Sequence, residues 1–259
     1  MPAADLLPAV AAIAAEAGAL ALGRWRGDFR HWQKGDASPV CEIDLAVDVL
    51  LRERLSALLP GAGWLSEETA DHPDRLARPF VWVVDPIDGT RDYVRGRDGW
   101  CVSVALVERG QAVLGVLDAP ARGQVWQAAA GQGAWRNGVA LTAGARDRLD
   151  GARIPADALP KADRLFTTVA KPNSIALRIA MVAADEADLI ATLRWGNEWD
   201  IAAAALIVAE AGGRVTDALG LPLHFNKPDP QAFGVLAAAS GLHRAAVDHL
   251  AERAHALAA

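Results

Sequence analysis

Cysteine is scarce. Cys41 and Cys101 are the only two in 259 residues, and they lie far apart, outside any CxxC pair. Neither a redox dithiol nor a zinc knuckle is suggested, and a reducing cytoplasm is the simplest compartment to expect. Positive charge is also short: 26 Lys and Arg face 32 Asp and Glu, for a formal charge of -6 and a pI near 5.5. That balance argues against a surface built to grip nucleic-acid backbones, while leaving room for a local cationic pocket. No internal repeat and no low-complexity linker is present. The opening stretch, Met1 to Arg30, is rich in Ala and Leu but has no basic start, and Glu16 interrupts it before Arg24 and Arg26. It reads as an amphipathic first helix, with neither a signal peptide nor a membrane span expected.

Apolar residues are plentiful, at 52%, enough for one compact domain or two closely joined halves. Helical periodicity covers residues 5–26 and 42–59, the second marked by Leu45, Val49, Arg52 and Leu55 and stopped by Pro60 and Gly61. Between them, "HWQKGDASPVCEID" carries the charges, Gly and Pro of a mobile connection. From "GWLSEE" onward the period changes. "FVWVVD", "WCVSVALVE", "AVLGVLDAP", "QVWQAAAG" and "GAWRNGVAL" are short runs separated by turn residues, which predicts an antiparallel meander. Within it Trp100, Val102, Val104 and Leu106 share one face, and Cys101, Ser103 and Ala105 the other.

After about residue 145 the character shifts again. "LFTTVA" and "DLIATL" read as strands around a helix at 173–185, "WDIAAAALIVAEAGG" as an apolar helix closed by Gly212 and Gly213, and "FGVLAAAS" as a buried strand before a last helix. Two halves result, 1–145 with the antiparallel sheet and 146–259 as an αβ unit, sharing one face.

The chemistry is concentrated at element ends. Glu67 and Glu68 follow "GWLS", Asp85 and Asp88 follow "FVWVV", and Asp200 opens the "WDIAA" helix. Each has a plain structural reading: surface acids, an Asp-Gly turn, a helix cap. Together they suit a hard divalent cation such as Mg2+, which takes carboxylate and carbonyl oxygens, with Asp85 placed to bridge two ions. Gly89 and Thr90 follow where backbone N–H groups can hold a phosphate. Competing acidic motifs fail. A haloacid-dehalogenase pair needs one residue between its aspartates, but Pro86 and Ile87 intervene here, and an EF-hand starting at Asp85 would end on Gly96 instead of Glu.

"WVVDPIDGTRDYV", with "SEE" upstream and "WDIAAAALIVAEAGG" downstream, resembles the inositol monophosphatase superfamily of Mg2+-dependent, lithium-sensitive phosphatases, over nearly the whole chain. The resemblance implies an α+β fold, a layered αβαβα sandwich, and commonly a homodimer. It implies two or three Mg2+ ions: Glu67, Asp85 and the Ile87 carbonyl on the first, Asp85, Asp88 and Asp200 on the second, and a weaker third near Glu67. Glu68 and Asp92 would stand outside the ligand set. Water would be held by Glu67 and Thr90, with Asp44 helping Thr90 accept its proton. "KGDASPVCEID" resembles the family's metal loop through Lys34 and Asp36, with Cys41 in place of the commoner threonine.

The resemblance says less about the ester. Leu193 stands where inositol monophosphatases place a glutamate. Arg194 with "EWD", including Glu198, then "LHFNKPD", and Arg178 in "NSIALR" look like the CysQ-like 3'(2'),5'-bisphosphate nucleotidases. A second substrate phosphate needs a cation, which Arg194, Arg178 or Lys171 could supply, and Trp195 could stack on a base. "RWGNEWD" is shorter than that branch's usual pattern, so inositol phosphate and histidinol phosphate stay open. A protein-binding role without catalysis is the reading of another class; a scaffold has no physical need for four convergent acids.

Overall fold

Leu6, Val10, Ala14, Ala17 and Ala21 recur at helical spacing and form the buried edge of helix α1, Ala3–Arg24. The structure, a computed structural model, describes residues 3–33 and 39–258. Helix α1 reaches a mean hydropathy of 1.8, and by length and composition alone it could cross a membrane. Here its stripe packs with α2, Glu42–Leu58, against a sheet. The connection between these helices is flanked by a short antiparallel pair, β1 (His31–Gln33) and β2 (Pro39–Cys41), where the charges, Gly and Pro predict a mobile connection without strands. Lys34 and Asp36 lie outside the described residues.

The large sheet runs in chain order: β3 (Gly63–Ser66), β4 (Phe80–Asp88), β5 (Cys101–Glu108), β6 (Gln111–Ala119), β7 (Gln124–Ala129), β8 (Gly133–Arg136) and β9 (Val139–Ala140). Strand β3 is parallel to β4, and the rest is the expected antiparallel meander. "GAWRNGVAL" is two strands instead of one. Asn137 and Gly138 both take positive φ, 51° and 78°, and turn the chain back as a tight hairpin. A five-residue helix, α3 (Thr90–Val94), follows β4.

After β9 the chain adds a parallel pair, β10 (Arg153–Pro155) and β11 (Thr167–Val169), then α4 (Ile175–Ala183), β12 (Leu189–Asn197), α5 (Ala202–Glu210), β13 (Arg214–Thr216), β14 (Gln231–Ala238) and α6 (Ser240–Ala258). Strands β12, β14 and β13 make a second antiparallel sheet. The three-residue β10 and β13 escaped the sequence reading because so short a run shows no period.

Alternation of side chains across β5 builds the layers. Trp100, Val102, Val104 and Leu106 pack under α1 and α2, while Cys101, Ala105 and Val107 meet α4 and α5. Both helices also face the second sheet, through Ile190, Val235 and Ala237, and α5 is accordingly apolar all round up to its final Glu210. Leu189, Leu236 and Ala238 on its far side cover Leu242, Ala246 and Leu250 of α6. The order is αβαβα, as the family resemblance implied.

The large sheet and α5 approach closely at Gly115 of β6, where an added Cβ would lie 2.7 Å from the Ala203 carbonyl oxygen. Gly115→Ala is expected to destabilise the protein by about 1–3 kcal/mol, read as a lowered midpoint in thermal or urea unfolding.

Candidate active site

Strand β4 carries most of the site on an irregular end. Its pairing with β5 slips between Asp85↔Ser103 and Asp88↔Cys101, so Pro86 and Ile87 oppose one residue. Proline, which has no N–H for the ladder, fits this bulge. The chain then turns at Gly89, φ 96°, where a Cβ would meet the Gly99 carbonyl oxygen at 2.6 Å. No other residue fits that position without moving a backbone.

A cleft of about 360 Å³ is lined by Glu67, Asp85, Ile87, Asp88, Gly89, Thr90, Arg178, Arg194 and Asp200. Nine of the eleven expected site residues therefore meet. The tenth, Asp44, stands behind Thr90, whose hydroxyl has one proton for two acceptors: Ile87 O at 2.9 Å and Asp44 Oδ1 at 3.2 Å. Cys41 holds the other oxygen of Asp44, since both its N–H and its thiol donate to Oδ2 at 2.8 Å. A thiol thus performs the local hydrogen bonding that a threonine hydroxyl would. Burial raises the Asp44 carboxyl to about 6, against the Cys41 hydrogen bonds that favour its anion.

The acids themselves are crowded, Asp85 and Asp88 buried and Glu67 and Asp200 half-buried. Asp85 is 2% exposed. Its carboxyl is pushed well up by burial and then by Glu67, Asp88, Asp200 and Asp44. Asp200 is raised by burial, Asp88 and Glu67. Asp88 is raised by burial, although Ser174 Oγ donates to it at 2.5 Å and the N–H groups of Ala176 and Ile175 at 2.7 and 3.3 Å. Such a cluster is unfavourable unless protons or cations enter it. All its donors are oxygen, which fits Mg2+ and not a soft metal. Among the described residues no three His, Cys, Asp or Glu side chains already form a cage.

Several expectations need correction. Asp200 closes a 3-10 turn, Glu198–Asp200, and does not open α5. Glu198 is fully buried and accepts from the N–H groups of Asn226 and Lys227 at 2.5 and 3.2 Å. Arg75 holds the same loop through Asn226 Oδ1 and Lys227 O, so this part of "LHFNKPD" and the glutamate of "EWD" serve structure. Lys171 is paired with Asp157 at 2.5 Å and lines a different hollow. Asp92, expected to stand outside the ligand set, is buried behind the cleft and accepts from Asn173 N at 3.2 Å.

Sequence reasoning missed Asp48. It is 6% exposed on α2, one turn after Asp44, and accepts from Ser66 Oγ and Thr69 Oγ1, each at 2.5 Å. Those residues bracket Glu67 and Glu68, so Asp48 sets the path of the chain carrying Glu67. Its four-residue spacing from Asp44 on one helix face was the available signal. Ser174 was also missed; its hydroxyl caps α4 by accepting from Leu177 N at 2.9 Å and donates to Asp88.

A five-layer αβαβα sandwich with oxygen ligands converging at one strand end defines a metal-assisted hydrolase of phosphate esters. The profile of the Inositol monophosphatase family matches residues 4–257. Tomato (Solanum lycopersicum) Inositol monophosphatase 2 is 32% identical over 205 residues, covering 72% of this chain and 77% of its own. The 3'(2'),5'-bisphosphate nucleotidase CysQ of Aggregatibacter actinomycetemcomitans is 34% identical over 208 residues, covering 75% and 77%. The solved Thermotoga maritima IMPase superposes with a TM-score of 0.83 at 27% identity, over 95% of this chain and 97% of that one. This chain belongs to the inositol monophosphatase family, whose members are Mg2+-dependent phosphatases.

Two outcomes follow from the site. Raised carboxyl values mean that the folded metal-free protein binds more protons than the unfolded chain, so this stabilisation is complete at low pH and is lost as pH rises through the raised values. Mg2+ requires the ionised acids. The difference in melting temperature between Mg2+ and EDTA samples should widen from about pH 6 to about pH 8; a constant difference would count against the cluster as the ion site. Asp48→Asn should weaken Mg2+ binding by about tenfold in calorimetry while the far-ultraviolet circular dichroism stays native.

Proposed function

We propose that this protein removes the 3'-phosphate of 3'-phosphoadenosine 5'-phosphate, as a 3'(2'),5'-bisphosphate nucleotidase. The observation that carries this reading is the pairing of charges in one cleft: Arg178 and Arg194 share it with the carboxylate cluster. An ester with one phosphate to cleave and another to anchor matches such a two-ended site. Guanidinium groups suit the anchor because their planar donors meet phosphate oxygens in pairs. Arg178 is oriented for this by the Ser174 and Asn173 carbonyls, to which it donates at 3.3 and 3.1 Å.

Glu67, Asp85 and the Ile87 carbonyl would hold one Mg2+, and Asp85, Asp88 and Asp200 a second. When bound, Mg2+ neutralises phosphoryl oxygens, lowers the pKa of a coordinated water and stabilises the departing alkoxide. Gly89 and Thr90 orient the phosphate. Thr90 Oγ1 takes the proton of the attacking water and passes its own to Asp44 Oδ1, which Cys41 keeps turned toward it. Asp44, at about 6, is mostly ionised at neutral pH and can receive that proton. No covalent enzyme intermediate is required. The family reading adds inhibition by Li+, a homodimer and a cytoplasmic location to this proposal.

Phosphate release should be measured side by side from 3'-phosphoadenosine 5'-phosphate, inositol 1-phosphate and histidinol phosphate. The expected outcome is a kcat/KM on the nucleotide at least about a hundredfold above the others, on the order of 2.7 kcal/mol of discrimination. Arg194→Ala should raise KM for the bisphosphate far more than for the monophosphates. Preference for either monophosphate overturns the nucleotidase reading.

A further inference from the structure

A second hollow, of about 630 Å³, adjoins α3 and shares no lining residue with the catalytic cleft. Helix α3 and the segment leading into α4 stand between the two, joined where Asp92 accepts from Asn173 N at 3.2 Å. Four cations line this hollow, Arg26, Arg97, Arg122 and Lys171, against two acids, Asp92 and Asp98, on a chain whose formal charge is -6. Local positive charge on an acidic protein concentrates anions.

Two of the cations are already committed. Arg122 donates from Nε to Asp98 O at 2.9 Å and from Nη2 to Asp98 Oδ1 at 3.4 Å, and Lys171 pairs with Asp157 at 2.5 Å. Arg97 is exposed, and among the described residues no group accepts from its guanidinium. Arg26 uses only Nε, which donates to Gly96 O at 3.0 Å. Its guanidinium lies over the Trp25 ring, 4.0 Å from the centroid, and its two Nη groups have no protein acceptor among the described residues. Arg26 also holds a left-handed backbone, φ 64°, directly after α1, where a glycine would be at ease. Gly96 makes room for the crossing side chain, since a Cβ there would lie 3.2 Å from Arg26 Cγ.

From this geometry we infer that the hollow beside Trp25 binds an oxyanion of the phosphate class between Arg26 and Arg97, at a site separate from the catalytic cleft. Guanidinium donors meet phosphate oxygens in pairs, and stacking on Trp25 fixes the plane of Arg26 before the anion arrives. Asp92, 8% exposed and engaged by Asn173 N, presents little charge to the hollow. Free phosphate and the phosphate group of an ester offer the same oxygens. The site needs no Mg2+ and does not depend on the nucleotidase reading.

Calorimetric titration of inorganic phosphate into the full chain, with Mg2+ and again with EDTA, tests this. Two phosphates per chain are expected with Mg2+, of which one persists in EDTA. Arg26→Gly suits the left-handed backbone and removes the guanidinium, and Arg97→Ala trims an exposed side chain. Each should weaken the EDTA-resistant site at least about tenfold and leave the Mg2+-dependent one in place. Phenylphosphonate, which carries an organic group and no ester bond to cleave, separates the two sources: tighter binding than phosphate assigns the site to an ester, weaker binding to the free ion. The inference is overturned by an absence of EDTA-resistant binding, by binding that both variants leave unchanged, or by its loss in Arg194→Ala, which would return it to the cleft. It is also overturned if the variants turn a dimer into a monomer in sedimentation without altering phosphate binding, since the cations would then face a second copy of the chain.

Discussion

Electrostatic repulsion among carboxylates at the end of a buried strand is the constraint on which this structure depends. Burial raises the proton affinity of Asp85, Asp88 and Asp200, the charges of Glu67 and Asp88 add to it at Asp85 and Asp200, and such crowding is tolerable only with counter-charge or protons. The surrounding elements hold the acids in place against this repulsion. The bulge in β4 turns Asp85 and Asp88 into the same cleft, Gly89 permits the sharp exit, and α4 binds Asp88 through two N–H groups and Ser174.

Support for the site is layered in the same sense as the fold. Helix α2, on one side of the large sheet, supplies Asp44 against Thr90 and Asp48 against the chain flanking Glu67. Helix α4, on the other side, steadies Asp88 and places Arg178. The second sheet brings Arg194 and Trp195. On the proposed reading, most of the acids come from the large sheet, while the arginines come from α4 and the second sheet.

Much was legible from local pattern. The two faces of β5, the long helices and the meander follow from periods of 2 and 3.6, and the spacing in "DPIDGT" locates the acids. Short strands, the hairpin inside "GAWRNGVAL" and the 3-10 turn at Asp200 were not legible, because two or three residues cannot display a period. Glu198 and Lys171 were misread for another reason. A charged residue near a motif looks the same in sequence whether it faces a substrate or a buried loop.

The chain's sequence by itself determined the long elements and the identity of the acids, since both depend on residue type at fixed local spacing; the layering of those elements was implied by the family resemblance. Tertiary structure decided which polar groups are available. Arg75 reaches Asn226 across 151 positions, and Ser174 reaches Asp88 across 86. Asp48 gained its place, and Glu198 lost its own, through contacts made only when the layers close. The hollow beside Trp25 is of the same kind: it exists because the end of α1, the exit of α3 and the segment before α4 meet, and no local spacing encodes that enclosure.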